Sequence, residues 1–141
     1  MDREAIKRLL PHREPMLLVD EVTTDGDAAR GRYAVTGEEW FLRGHFPEHP
    51  VVPGVVLCEI IGQTSCVLLG DKLLGKTPYF TGMDKVRFKR VAKPGDTLET
   101  TARITRSNGP FYIVEGEARI EGELCAKAEL TFALMANASR P

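Results

Sequence analysis

An imidazole, His45, and a carboxyl group, Glu59, flank a loop that is stiffened by Pro47, Pro50 and Pro53 and closed by Gly54. Histidine is the one side-chain type whose unperturbed pKa suits proton transfer near neutrality. Pro53 fixes the chain at the entrance of a helix, and Gly54 lets a ligand come close to the backbone. The first N–H groups of that helix have no partner inside it and can hold an oxygen that gains negative charge. Glu59 stands among Leu57, Cys58, Ile60 and Ile61, where a carboxyl group either finds a partner or is kept protonated by desolvation. A raised pKa is what a general acid needs. Gln63, four residues on and on the same helical face, is placed to orient that carboxyl group. Together these residues can supply base, acid and oxyanion donor for a proton abstraction. The bland alternative is that the histidine packs a proline-rich loop and the glutamate reaches solvent or an ion pair.

The elements that must hold these groups follow from the spacing of apolar residues and turn signals. Met1 to Leu10 reads as a short amphipathic helix stopped by Pro11, and Glu38 to Leu42 as one helical turn. Met16–Val22 and Arg30–Val35 read as strands around the turn signal Asp25-Gly26-Asp27. Gly54–Leu74 is apolar nearly all round in its first half, which predicts a helix buried on most sides. Four further strands are expected at Tyr79–Lys89, Thr97–Arg106, Phe111–Ile120 and Leu124–Leu134. Pro94-Gly95-Asp96, Asn108-Gly109-Pro110 and Glu121-Gly122 separate them as turns. One long apolar helix beside sequential strands predicts an α+β architecture, a curved antiparallel sheet wrapped around the helix.

The 141 residues make a single domain, 1–141, with 43% hydrophobic and 28% charged residues, so the class is a globular protein with its own core. The formal net charge of -1 excludes a whole-molecule basic field for nucleic acid. Cys58, Cys66 and Cys125 are odd in number and widely spaced, which suits neither a disulfide framework nor a zinc site. The apolar run Val51–Leu69 is interrupted by Pro53, Glu59 and Gln63, so no membrane span is expected. The amino-terminal residues lack an apolar signal core, and a cytoplasmic location is expected.

The motif Gly44-His45-Phe46-Pro47-x-x-Pro50-Val51-x-Pro53-Gly54-Val55, followed by Glu59 and Gln63, resembles the signature of the 3-hydroxyacyl-[acyl-carrier-protein] dehydratases, hot-dog-fold enzymes of type II fatty-acid synthesis. Leu10-Pro11-His12-Arg13 and Pro15-Met16-Leu17-Leu18-Val19-Asp20 match that family's opening segment. Phe80-Thr81-Gly82-Met83-Asp84-Lys85-Val86-Arg87-Phe88 and Pro94-Gly95-Asp96 match its later strands. The resemblance implies a hot-dog fold and a cofactor-free lyase, converting (3R)-3-hydroxyacyl-carrier thioesters to trans-2-enoyl thioesters. It implies that His45 removes the C2 proton and that Glu59 protonates the departing 3-hydroxyl. It further implies that the Gly54 N–H polarises the thioester carbonyl and that Gln63 supports the carboxyl group. In this family the histidine and glutamate of one site come from different subunits. A homodimer is therefore implied, commonly assembled as a hexamer of three dimers, with an acyl carrier protein bearing a phosphopantetheine-linked chain as partner.

The related isomerising dehydratase carries Asp where this chain has Glu59, which favours the non-isomerising type. The sequence departs from the family pattern at Glu14, Glu38, Leu42 and Val91, and these positions bear on substrate fit more than on the acid, base or oxyanion donor. Lys85, Arg87, Lys89, Arg90 and Lys93 form the strongest basic run, read either as a docking surface for an acidic carrier protein or as a solvated strand face. Pro47 and Pro50 exclude the helix that would let His45 and His49 share a metal, so no metal site is expected. His49 reads as a surface loop residue. His12, after Pro11, is expected to tie down the first turn by a hydrogen bond. Cys58 and Cys66 read as packing residues, and Tyr79, Phe80, Phe88, Phe111 and Phe132 as core or tunnel lining. Three alternatives share the fold: an acyl thioesterase, a coenzyme A thioester hydratase, and a non-catalytic acyl-binding protein. The hydratases of this fold carry Asp five residues before the histidine, where this chain has Trp40.

Overall fold

The computed structural model describes residues 1–137. Its elements run α1 (Arg3–Lys7), β1 (Glu21–Asp25), β2 (Ala28–Ala34), a 3-10 turn (Trp40–Leu42), α2 (Gly54–Cys66), a 3-10 segment (Val67–Leu73), β3 (Lys76–Phe88), β4 (Thr97–Asn108), β5 (Phe111–Ile120) and β6 (Glu123–Ala136). The strands form one antiparallel sheet of six in the order β1-β2-β4-β5-β6-β3. α2 packs against β2, β4, β5 and β6, so the sheet wraps the helix. This is the hot-dog architecture expected from the sequence.

Local chemistry sets the strands. β2 and the first half of β4 alternate buried and exposed residues, the period of a strand with one face on a core. Glu121 and Gly122 both adopt positive φ, 48° and 82°, which matches a two-residue hairpin loop to the twist of β5 and β6. The helix lies close to the sheet. A Cβ at Gly116 would run into Ile61 Cγ2 and the Thr101 carbonyl, so β5 needs glycine where it crosses α2. Ile60, Ile61, Leu98, Val114, Leu130 and Phe132 form the centre of the core.

Several expectations are corrected. The helix expected over Gly54–Leu74 is α-helical only to Cys66, and Gly70, at φ 54° and ψ -128°, breaks the segment beyond it. Gly54–Leu73 is apolar and long enough by composition to cross a membrane, yet it is the core element the sheet encloses. β3 does not form a hairpin with β4; it pairs with β6 at the far edge. Pro94-Gly95-Asp96 instead anchors to the end of β2, where Val35 N–H donates to the Asp96 carbonyl and Gly95 N–H to the Val35 carbonyl. The strand expected over Met16–Val22 begins only at Glu21. Leu17, Leu18 and Val19 are buried outside the ladder, and side chains take up part of their backbone bonding: Gln63 Oε1 accepts from Leu18 N–H at 2.8 Å and Arg3 donates to the Leu17 carbonyl at 3.0 Å.

Candidate active site

His45 sits just past the 3-10 turn. Its N–H donates to the Leu42 carbonyl at 3.3 Å, and its own carbonyl accepts from Val51 N–H at 2.8 Å. The imidazole stacks on Phe46, with ring centroids 4.3 Å apart. Nδ1 lies 3.0 Å from the Val51 carbonyl oxygen. A carbonyl only accepts, so the proton belongs on Nδ1 and Nε2 is the basic nitrogen.

Gly54 opens α2 behind Pro53, which sets the entry at φ -58° and ψ 142°. Val56 and Leu57 N–H both turn back to the Pro53 carbonyl, while the N–H groups of Gly54 and Val55 find no acceptor among the described residues. From sequence, the missing side chain at Gly54 is expected to make room for a ligand. Within the chain it admits the ring of Phe88, whose Cζ would stand 2.8 Å from a Cβ there.

Glu59 lies one and a half turns into α2, half-buried. Burial raises its carboxyl pKa above the ordinary range, against the bond from Gln63 that pulls it down. Gln63 is buried and fully engaged: Nε2 donates to Glu59 Oε2 and to the Met16 carbonyl, each at 2.7 Å, and Oε1 accepts from Leu18. A small cavity of about 40 Å³ lies between Glu59, Gln63, Cys66 and His12 on one side and Phe80 and Phe132 on the other. Burial, with Glu59 near, pushes the Cys66 thiol up to about 12, so it is a packing group and not a nucleophile.

His12 departs from its expected place. It does not tie down the first turn; Arg13 does, donating to the Leu10 and Lys7 carbonyls. The His12 ring faces Glu59 instead, with Nε2 3.5 Å from Oε2. The spacing Leu10-Pro11-His12-Arg13 holds no signal for this, because 47 residues separate the two groups in the chain.

The chain brings Glu59, Gln63 and His12 together and does not bring His45 to them. No hydrogen bond joins His45 to Glu59 among the described residues, and His45 does not line the cavity. The basic run is divided as well. Lys85 occupies a bulge at φ 53°, 3.8 Å from Glu129, and this register shift interrupts the expected alternation of apolar and basic faces. Lys85, Arg87 and Lys89 are exposed. Arg90 is half-buried, donates to the Ile120 carbonyl and pairs with Asp96 and Glu123, which gives it a structural post. Of the departures from the family pattern, Leu42 is buried, and Glu14 pairs with Arg3 and Lys7 at 3.1 and 3.0 Å. A bond from its own backbone N–H, then Lys7 and Arg3, hold the Glu14 carboxyl down at about 2.

Residues 10–129 match the FabA-like domain family. The 3-hydroxyacyl-[acyl-carrier-protein] dehydratase FabZ of Bacillus velezensis is 45% identical over 138 residues, covering 95% of this chain and 98% of that protein. The enzyme of the same name from Bacillus subtilis is 41% identical with the same coverage. This chain belongs to the FabZ dehydratase family. Among solved structures, the dehydratase heterocomplex ApeI:P from Xenorhabdus doucetiae shares the fold at a TM-score of 0.77 and 20% identity, covering 94% of this chain and 91% of that one. A hypothetical thioesterase from Streptococcus pneumoniae, solved with coenzyme A, shares it at a TM-score of 0.63 and 14% identity, with 84% of this chain and 88% of that one covered.

Proposed function

We propose that the protein dehydrates (3R)-3-hydroxyacyl chains on an acyl carrier protein to trans-2-enoyl thioesters, as a step of fatty-acid elongation in the cytoplasm. The observation that carries this reading is Glu59: a carboxyl group whose pKa burial raises, held at one oxygen by Gln63, in the wall of a cavity closed by Phe80 and Phe132. A group so placed can give a proton to a departing hydroxyl.

His45 Nε2 takes the C2 proton. The electrons left behind form the C2–C3 double bond, and the C3–oxygen bond breaks. Glu59 supplies the proton that turns the leaving hydroxyl into water. Charge that builds on the thioester oxygen meets the free N–H of Gly54 at the positive end of α2. The reverse sequence hydrates the enoyl chain and restores both proton states.

One chain lacks a complete set, and the edge strand suggests how it is supplied. β3 borders the sheet and exposes Tyr79, Met83 and Phe88, a poor surface to leave in water. Pairing of two such edges in a homodimer covers them and lets His45 of one subunit meet Glu59 of the other; three dimers then give a hexamer. Exposed Lys85, Arg87 and Lys89 offer the carrier protein a basic approach.

The test follows the absorbance of an enoyl thioester with the purified protein. The conjugated double bond should disappear as water adds, and His45→Ala should abolish the change while leaving the melting temperature near that of wild type. Turnover by His45→Ala within a few-fold of wild type would remove His45 as the base. Release of free thiol in place of a 3-hydroxyacyl product would point to a thioesterase.

A further inference from the structure

His12 has no part in the mechanism so far, yet it occupies the wall of the same cavity. Its Nε2 faces Glu59 Oε2 at 3.5 Å, longer than a formed hydrogen bond and within reach of one after a small ring movement. Its Nδ1 is buried and finds no partner among the described residues. A proton on Nδ1 would be an orphaned buried donor, while a proton on Nε2 has an acceptor waiting. The neutral ring with Nε2–H is therefore the form that fits. Gln63 Nε2 already donates to the same carboxyl oxygen at 2.7 Å. Both neighbouring donors thus converge on Oε2, and Oε1 receives neither.

We propose that His12 is a positioning residue for Glu59: with Gln63 it loads Oε2 with N–H donors and leaves Oε1 to carry the proton that the leaving hydroxyl takes. This rests on the reading of Glu59 as the acid. When Glu59 gives up its proton, the same two donors face the carboxylate that forms. Cys66 on α2 is the other titratable group facing the cavity; β3 and β6 present Pro78, Phe80 and Phe132, and Arg13 turns its guanidinium to backbone carbonyls. Burial, and then Arg13, lower the His12 pKa, which favours the neutral ring.

The test compares His12→Ala and His12→Gln, each alone and combined with Glu59→Gln, by enoyl-thioester hydration across pH. His12→Ala should lower kcat about tenfold or more through misorientation of the acid, with KM little changed. The limb of the pH profile that disappears in Glu59→Gln should move to higher pH in His12→Ala, because the carboxylate has lost a donor. His12→Gln, which keeps an N–H donor, should recover part of the rate. In the Glu59→Gln background, His12→Ala should cost nothing more. An unchanged kcat and pH limb in His12→Ala and His12→Gln overturns the proposal, and so does an undiminished loss in the Glu59→Gln background. If Glu59→Gln alone turns over like wild type, the acid assignment itself fails and the proposal falls with it.

Discussion

Gln63 joins Glu59 to the segment that leads into the sheet: its Nε2 donates at 2.7 Å both to Glu59 Oε2 and to the Met16 carbonyl, and its Oε1 accepts from Leu18 N–H at 2.8 Å. The carboxyl group proposed as the acid is thus held by a side chain that also completes the backbone bonding of a buried, non-ladder stretch.

Gln63→Leu should therefore fail on both counts. It leaves the buried Leu18 N–H without its partner, at a cost of about 1–3 kcal/mol, and removes the donor to the Met16 carbonyl. It also frees Glu59 to turn. Thermal unfolding should show the loss of stability, and kcat should fall further than the fraction of unfolded protein explains. A variant with a lowered melting temperature but wild-type kcat at a temperature where it is folded would separate the two roles.

Glu59 also sets a pH dependence of stability. Its folded pKa is raised, so its contribution is fully present below the unfolded carboxyl pKa and is lost as pH rises through the folded value. Ionising the buried group is the cost. Glu59→Gln removes that cost, and the melting temperature of the variant relative to wild type should increase as pH rises from below the ordinary carboxyl pKa to above the raised one. A difference that stays constant across this range would contradict the raised pKa.

The parts of the fold that depend on local spacing were legible in the sequence. α2 begins at Gly54 as expected from Pro53, and β5 spans Phe111–Ile120 between its two turn signals. What the sequence hid was long-range pairing. Pro94-Gly95-Asp96 reads as a hairpin turn, but its bonds go to Val35, and nothing local tells β3 to seek β6. The apolar run Leu17-Leu18-Val19 looks like a strand because burial and strand periodicity produce the same signal, and only the Gln63 side chain reveals that no neighbouring strand is present. In the site, Glu59 and Gln63 lie four apart on one helix and could be paired by inspection. His12 could not, since its approach to Glu59 is a product of the fold.

The close passage of β5 over α2 is open to a direct check. Gly116→Ala places a methyl group against Ile61 Cγ2, with the Thr101 carbonyl 3.1 Å away and the Ala102 Cβ 3.3 Å away, so no flexible end can yield. Overpacking of this kind costs roughly 1–3 kcal/mol. Denaturant unfolding should show a lower midpoint with an unchanged slope. A midpoint equal to wild type would mean that the helix and sheet have room to separate.

The separation of His45 from the Glu59 cavity gives the sharpest test of assembly. If one site takes its base from one subunit and its acid from another, His45→Ala and Glu59→Gln homodimers are each inactive. A mixed dimer then carries one site with both residues and one with neither. Subunits exchanged in equal amounts should recover roughly one quarter of wild-type turnover, since half of the dimers are mixed and half of their sites are intact. The two proteins would be unfolded together, refolded, and assayed against each refolded alone. Recovery near that level supports the shared site. Refolded mixtures that run as dimers on size exclusion yet stay inactive would place base and acid within one chain, and the edge pairing of β3 would then have to be explained without catalysis.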